Sequence, residues 1–274
     1  VQPFRIGHFE ALEDLSSSEA ARVYRGRGPD GAPVCIKVFN GTEPEDFARF
    51  QRERRLLASF GAQEGYVPLL EASESAFGPY FIMPFLGGGS LRGPLLDGPL
   101  EVRQVLALGM RLGSALGVAH ERGIVHRDMK PENVLFDDRG LAFIADLGLA
   151  KHFRRDVKGA SQSLSVTDMG DVLGSAGYMA PEQILGEPIT PRTDVFSLAT
   201  ILHECLTGRP VFTGKDIMEL GRRVVECQFD RIGAIRDDVP VSAASVIETA
   251  LSRDTARRHE DGKAFARALS RAQV

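Results

Sequence analysis

The sequence predicts an α+β chain in two lobes, a small strand-rich one over residues 1–86 and a larger helical one over 87–274. Three observations predict it. Short apolar or β-branched runs, parted by turn signals, fill the small lobe. Gly87-Gly88-Gly89 then interrupts the pattern and reads as a hinge. Beyond it, apolar residues recur at helical spacing in one segment after another.

In the small lobe, segments 4–12, 22–26 and 33–39 (PVCIKVF) read as strands, divided by turns such as Pro29-Asp30-Gly31. Residues 43–60 carry Phe47, Phe50, Leu57 and Phe60 at helical spacing, with Pro44 where a first-turn proline is tolerated. YFIMPF at 80–85 reads as a last strand. In the large lobe, Val102, Val105, Leu108, Leu112, Ala115, Leu116 and Ala119 share one face of a helix over 101–122, which Gly123 closes. Residues 149–179 lack periodicity and are rich in Ser, Gly and Asp, the pattern of a long functional loop. Further helices are expected over 194–208, 215–227, 241–252 and 260–272.

A chain of 274 residues with 43% apolar content can bury a sizeable core and reads as soluble and globular. Its net charge of −4 lacks the basic footprint of a nucleic-acid binder. Cys35, Cys205 and Cys227 are scattered without metal-ligand spacing, which predicts free thiols in a reducing, cytoplasmic setting. There is no signal-peptide pattern and no run of ~18 apolar residues, so no membrane span is expected within the chain. The chain opens at Val1 rather than a methionine, so the expectation is a piece of a longer protein, which could carry a membrane anchor elsewhere.

The strongest chemical signal is HRDMKPEN at 126–133, followed by ADLG at 145–148 and APE at 180–182. Phosphoryl transfer from a nucleotide needs an aligned hydroxyl, held metal ions and cationic cover for spread negative charge. These stretches offer an aspartate as general base, a lysine for phosphate, and oxygen ligands of the kind Mg²⁺ prefers. VCIK at 34–37, GSAGYMAPE at 174–182, DVFSLA at 194–199 and Arg258 complete an ordered set. With these motifs the chain resembles a eukaryotic-type (Hanks-type) serine/threonine protein kinase domain, of the bacterial kind, over nearly its whole length.

The resemblance implies a two-lobed protein-kinase-like fold with ATP and Mg²⁺ between the lobes, two metal ions, and Mn²⁺ as an alternative metal. It implies Asp128 as the base that accepts the substrate hydroxyl proton, and an aspartate is ordinarily ionised for that task at neutral pH. Lys130 would reach the γ-phosphate and points to Ser/Thr rather than Tyr acceptors. Asn133 and Asp146 would hold the metal ions, with Leu147 in place of the commoner phenylalanine. Lys37 would pair with the nucleotide's first phosphates and with an acid on the next helix. Glu53 is that acid, although Arg52, Arg54 and Arg55 offer it a surface ion pair instead. Glu45 stands near the helix start, where it suits the dipole.

Val23, Cys35 and Leu135 would sandwich the adenine, Met83 would guard its pocket, and the backbone of Pro84 and Leu86 would meet its edge. His126 is a packed structural histidine in this scheme. Arg127 implies control by phosphorylation of the loop, with Thr167, Ser165, Ser163 and Ser161 as candidates. Ser175 would shape substrate docking, Glu182 and Arg258 would form a buried ion pair, and Asp194 would anchor the catalytic loop. The implied partners are protein substrates with Ser or Thr acceptors, and a second copy of the chain for autophosphorylation.

One part of the pattern departs. The family's three loop glycines fall on Ser16, Ser18 and Ala21, and Glu19 stands at the tip. Glycine there lets backbone N–H groups approach phosphates and permits positive φ. The favoured reading is a looser lid over a working site. The alternatives are a pseudokinase or weakly nucleotide-binding signalling scaffold, and a small-molecule phosphotransferase. The last class lacks the activation segment and APE present here.

Overall fold

The structure, a computed structural model, describes residues 3–18, 21–40, 44–147, 151–152 and 176–272. The candidate phosphorylation positions Ser161, Ser163, Ser165 and Thr167 lie outside the described residues, as do Ser175, Glu19, Gly148 and the side chain of Glu45. The chain divides into two compact units, Val1–Gly87 and Gly88–Val274.

The first unit is built on a six-stranded antiparallel sheet, in the order β1-β2-β3-β4-β6-β5. Its strands are β1 (Phe4–Ile6), β2 (Phe9–Ser17), β3 (Ala21–Arg27), β4 (Pro33–Phe39), β5 (Glu71–Ser75) and β6 (Gly78–Pro84). Segment 4–12, expected as one strand, is a hairpin that turns at Gly7 and His8, with Ile6 paired to Phe9. Gly7 has φ +60, a conformation glycine takes without strain, and that is what breaks the run. Strand β5 has no counterpart among the expected strands. Its sequence, EASES, has no apolar alternation, and polar residues are tolerated because it is an edge strand.

Side chains alternate across a strand. In β4, Val34, Ile36 and Val38 enter a core with Ile6, Phe9, Ala11, Tyr24, Tyr80 and Ile82. Cys35, Lys37 and Phe39 therefore point to the other face. Helix α1 (Pro44–Leu57) packs on that face, with the Phe50 ring stacked on Phe81 at 4.8 Å and Phe39 edge-on to both.

The second unit contains α2 (Arg92–Leu96), α3 (Val102–Glu121), α4 (Pro181–Leu185), α5 (Pro191–Thr207), α6 (Ile217–Glu226), α7 (Ile232–Ile235), α8 (Val241–Ala250) and α9 (Gly262–Arg271). Short strands β7 (Ile124–Val125), β8 (Val134–Phe136), β9 (Ala142–Ile144) and β10 (Lys151–His152) pair as β7 with β10 and β8 with β9. Helix α5 is buried on every side from Thr193 to Thr207, and its buried polar side chains, Thr193, Asp194 and Glu204 among them, are hydrogen-bonded. Helices α2, α4 and α7 had no sequence counterpart, being too short to show a period.

The expected hinge differs at two of its glycines. Gly88 donates to the Phe136 carbonyl at 3.0 Å, and Phe136 donates back to Gly89 at 2.8 Å. A side chain on Gly88 would fall 2.6 Å from the Asp137 carbonyl, so glycine serves close backbone approach there. No described helix is long and apolar enough to cross a membrane.

Helices α3 and α9 meet through glycine, and a Cβ on Gly113 would lie 2.9 Å from the Gly262 carbonyl. Gly262→Ala is expected to destabilise the chain by about 1–3 kcal/mol, because the clash is with backbone. Gly93→Ala, in open space, is expected to leave stability unchanged or slightly higher. Urea unfolding midpoints of the two variants check this.

Candidate active site

Five of the residues singled out in the first unit share the face of the sheet opposite the core. The register places Val23 beside both Ser16 and Lys37, Cys35 beside Met83, and Lys37 beside Phe81. Paired residues point to the same side, so Ser16, Val23, Lys37, Cys35 and Met83 form one patch. Pro84 ends β6 opposite Val34, and Leu86 follows, half-buried.

Lys37 Nζ lies 2.7 Å from Glu53 Oε1. Glu53 is only 2% exposed because Phe50 and Leu57 put that stripe of α1 against the sheet. Arg52, Arg54 and Arg55 point to solvent, so the surface ion pair open to Glu53 in the sequence is not the one formed. Burial pushes the Cys35 thiol up to about 11, against the pull of the Lys37 charge.

The loop between β2 and β3 differs from a looser lid on either side of its tip. Ser18 Oγ donates to the Ala21 carbonyl at 3.1 Å and accepts from the Ala21 amide at 3.2 Å. Asn40 Nδ2 donates to the Ser18 carbonyl at 2.9 Å. None of Ser16, Ser18 and Ala21 has positive φ. The conformation described therefore does not require glycine at these positions, and a serine hydroxyl closes the hairpin.

In the second unit, residues 126–133 run from β7 through a loop into a 3-10 turn at Pro131–Asn133. His126 is fully buried. Its Nδ1 accepts from the Asp128 amide at 3.3 Å, and its Nε2 meets the Ala145 carbonyl at 3.1 Å. The first bond makes Nε2 the protonated nitrogen. Asn133 Nδ2 donates to the Asp128 carbonyl at 2.6 Å and to Asp128 Oδ2 at 2.9 Å. Lys130 Nζ stands 3.2 Å from Asp128 Oδ2. The Ala145 amide donates to the Asn133 carbonyl at 2.8 Å, which brings Asp146 to the same place. Asp146 has φ +58, uncommon for a residue with a side chain. Leu147 is buried beside it, and Leu135 lies in β8, bridged to Ser90.

With its amide nitrogen turned to Asp128, Asn133 keeps its side-chain oxygen for another partner. Together with Asp146 this is an all-oxygen donor set, which fits Mg²⁺. Among the described residues no group of three or more His, Cys, Asp or Glu forms a ready metal cage. Mg²⁺ takes few protein ligands when phosphate supplies the rest, so the set suits a metal that arrives with a polyphosphate.

Asp194, fully buried on α5, accepts from the His126 amide at 2.8 Å, the Arg127 amide at 2.9 Å and His120 Nε2 at 2.9 Å. Burial works to raise its pKa, but these bonds and the neighbouring His120 and His126 hold it below the usual carboxylate value. Glu182 and Arg258 form a bidentate buried pair at 2.8 and 3.1 Å, and Thr193 Oγ1 donates to the same carboxylate at 2.8 Å.

Sequence reasoning missed several participants. Arg92 joins Glu132 at 2.7 Å, Glu204 at 2.9 Å and the Tyr178 hydroxyl at 2.6 Å, and Tyr178 donates to Glu204. Arg92, Glu132 and Tyr178 line a cavity of about 460 Å³ with Phe212 and Leu220. The only available signal was that Glu132 and Tyr178 lie inside the quoted motifs. His120 and Gln183 carried no signal at all.

Comparison with known proteins gives a family model described as "Protein kinase domain", which matches residues 9–268. The serine/threonine-protein kinase PknL of Mycobacterium tuberculosis is 31% identical over 256 residues, 92% of this chain and 62% of that protein. The DNA damage-responsive serine/threonine-protein kinase RqkA of Deinococcus radiodurans is 37% identical over 95% of this chain and 39% of that protein. The serine/threonine-protein kinase PknA of M. tuberculosis is 31% identical over 88% of this chain and 55% of its own length. The chain thus spans less than two thirds of the length of each of these relatives.

Arg258→Met leaves the Glu182 carboxylate buried without its partner and is expected to cost about 3–5 kcal/mol, read by equilibrium unfolding. Replacing both members by apolar residues of similar size should restore most of that loss. The raised pKa means that Cys35 is protonated at neutral pH and reacts only as pH climbs toward about 11. At pH 8 its alkylation by iodoacetamide, followed by mass spectrometry, should run about a hundredfold slower than that of an unperturbed thiol.

Proposed function

We propose that this chain, which belongs to the protein kinase domain family, transfers the γ-phosphoryl group of ATP to serine and threonine hydroxyls of proteins. The observation that carries the reading is the arrangement at 126–133: Asp128 accepts from Asn133, faces Lys130 at 3.2 Å, and sits on backbone held by Asp194. Its relatives are bacterial Ser/Thr kinases in name, and the residues of its own site give that chemistry its parts.

In this reading the acceptor hydroxyl oxygen forms the new bond to the γ-phosphorus. The bond from that phosphorus to the β,γ-bridging oxygen breaks, ADP departs, and the hydroxyl proton passes to an oxygen of Asp128. Lys130 balances charge on the transferring group, and Lys37, oriented by Glu53, receives the other phosphates. Asn133 and Asp146 would hold two Mg²⁺ ions, or Mn²⁺ in their place, and the metal would supply positive charge to the polyphosphate. Val23, Cys35, Met83, Pro84, Leu86 and Leu135 receive the adenine. Ser16, Ser18 and Ala21 supply the loop near the phosphates.

Arg127 would pair with a phosphate on Thr167, Ser165, Ser163 or Ser161, added by a second copy of the chain. Ser175 guides docking of the acceptor. The setting is cytoplasmic. The scaffold reading is not favoured, because the lysine, the base and both metal-ligand positions are all filled.

Incubation with labelled ATP and Mg²⁺, followed by mapping of phosphorylated residues, tests the proposal. Label on Ser or Thr of an added protein and on the loop candidates is expected. Asp128→Asn should lower transfer by at least about 10²-fold with unchanged melting temperature. Full activity in that variant would remove Asp128 from the role of base.

A further inference from the structure

We infer that Gln183 is a positioning residue for Asp128, tying helix α4 to the catalytic segment; the inference rests on the kinase reading above. It starts from strain. Arg127, the residue before Asp128, has φ +72. A non-glycine residue keeps that conformation only where its surroundings over-determine it. One side is explained by Asp194, which accepts from the Arg127 amide at 2.9 Å. The other side is Gln183, whose Nε2 donates to the Arg127 carbonyl at 2.8 Å.

That carbonyl belongs to the peptide unit joining Arg127 to Asp128. The N–H of the same unit donates to His126 Nδ1 at 3.3 Å. A peptide unit is planar, so holding its oxygen and its N–H fixes its orientation, and with it the place of the Asp128 Cα from which the side chain springs. Gln183 grips the oxygen end.

The orientation of Gln183 is itself determined. Its Oε1 accepts from the Ala180 amide at 2.9 Å, so its NH₂ group must face Arg127. Its backbone is held through its neighbour Glu182, locked on Arg258. Residues 180–183 thus form a rigid bracket, from the Glu182–Arg258 pair through one side-chain amide to the peptide bond that carries Asp128. Gln183 matches this geometry because its terminal amide offers an acceptor and a donor together. Glutamate keeps the acceptor and loses the donor; methionine loses both.

Gln183→Glu and Gln183→Met separate positioning from capping. Glutamate suits the first turn of a helix, so Gln183→Glu should fold normally. At saturating ATP and peptide substrate, kcat of both variants is expected to fall about tenfold or more, with KM for ATP within about twofold of the parent. Amide hydrogen exchange over 126–130 should quicken in Gln183→Glu while that of 181–185 stays unchanged. If Gln183→Glu keeps parental kcat and exchange while Gln183→Met alone loses stability, Gln183 only caps α4 and the inference is wrong. Should the parent show no transferase activity, the kinase reading fails separately. The exchange comparison then still decides whether Gln183 holds the 127–128 peptide.

Discussion

One buried carboxylate organises the candidate site of the second unit. Asp194 projects from the interior of α5, fully shielded from water, where an ionised group without partners would cost several kcal/mol. Three donors offset that cost: the His126 and Arg127 amides and the His120 ring. Two of them come from consecutive backbone amides. Meeting both forces the chain through the left-handed turn at Arg127 and delivers Asp128 on the far side of it. The third donor reaches further. His120 Nδ1 accepts from the Gly262 amide, so its proton must sit on Nε2, toward Asp194. Close approach of α9 to α3 at Gly113, Gly117 and Gly262 brings that amide into place. Packing of α9 and geometry of the 126–128 segment are thereby parts of one hydrogen-bonded arrangement.

The same logic recurs in ion pairs. Glu53 with Lys37, Glu182 with Arg258, and Glu204 with Arg92 each bury a carboxylate beside a cation at 2.7 to 2.9 Å. Apolar residues of equal volume would hold a fold about as well, so such pairs are poor instruments for stability alone. What an apolar contact cannot supply is direction. A bidentate guanidinium accepts a carboxylate in few orientations, and Glu182 is fixed so that the next residue, Gln183, faces Arg127. Lys37 is likewise held within β4 by an acid arriving from a different element.

The two-lobed fold class and the candidate site were both legible in the sequence, for different reasons. Asp128, Lys130, Asn133 and Asp146 stand in local motifs, where side-chain identity and spacing are themselves the signal. Long helices such as α3 and α5 were legible too, since several turns repeat an apolar stripe. Three kinds of feature were not. The Gly7–His8 hairpin hid inside one apolar run, because a two-residue turn leaves little mark when both flanks are strands. Strand β5 hid because an edge needs no alternation. Arg92, His120 and Gln183 hid because their partners lie far along the chain: Arg92 and Glu204 are 112 residues apart, and His120 and Gly262 are 142. Such pairings follow from tertiary packing, which no local period encodes.

Replacing the loop glycines changes the entropy of the β2–β3 hairpin. A glycine-rich hairpin is free to take positive φ, and it loses that freedom when it orders around a ligand. Here Ser18 and Ala21, the described residues beside the tip, are already tied to each other. The two bonds between Ser18 and Ala21, and the Asn40 amide on the Ser18 carbonyl, fix both flanks of the tip with ordinary backbone angles. A hairpin closed by its own hydroxyl forgoes some close backbone contact with phosphate but has less entropy left to lose. The departure from the family pattern therefore exchanges adaptability for pre-organisation.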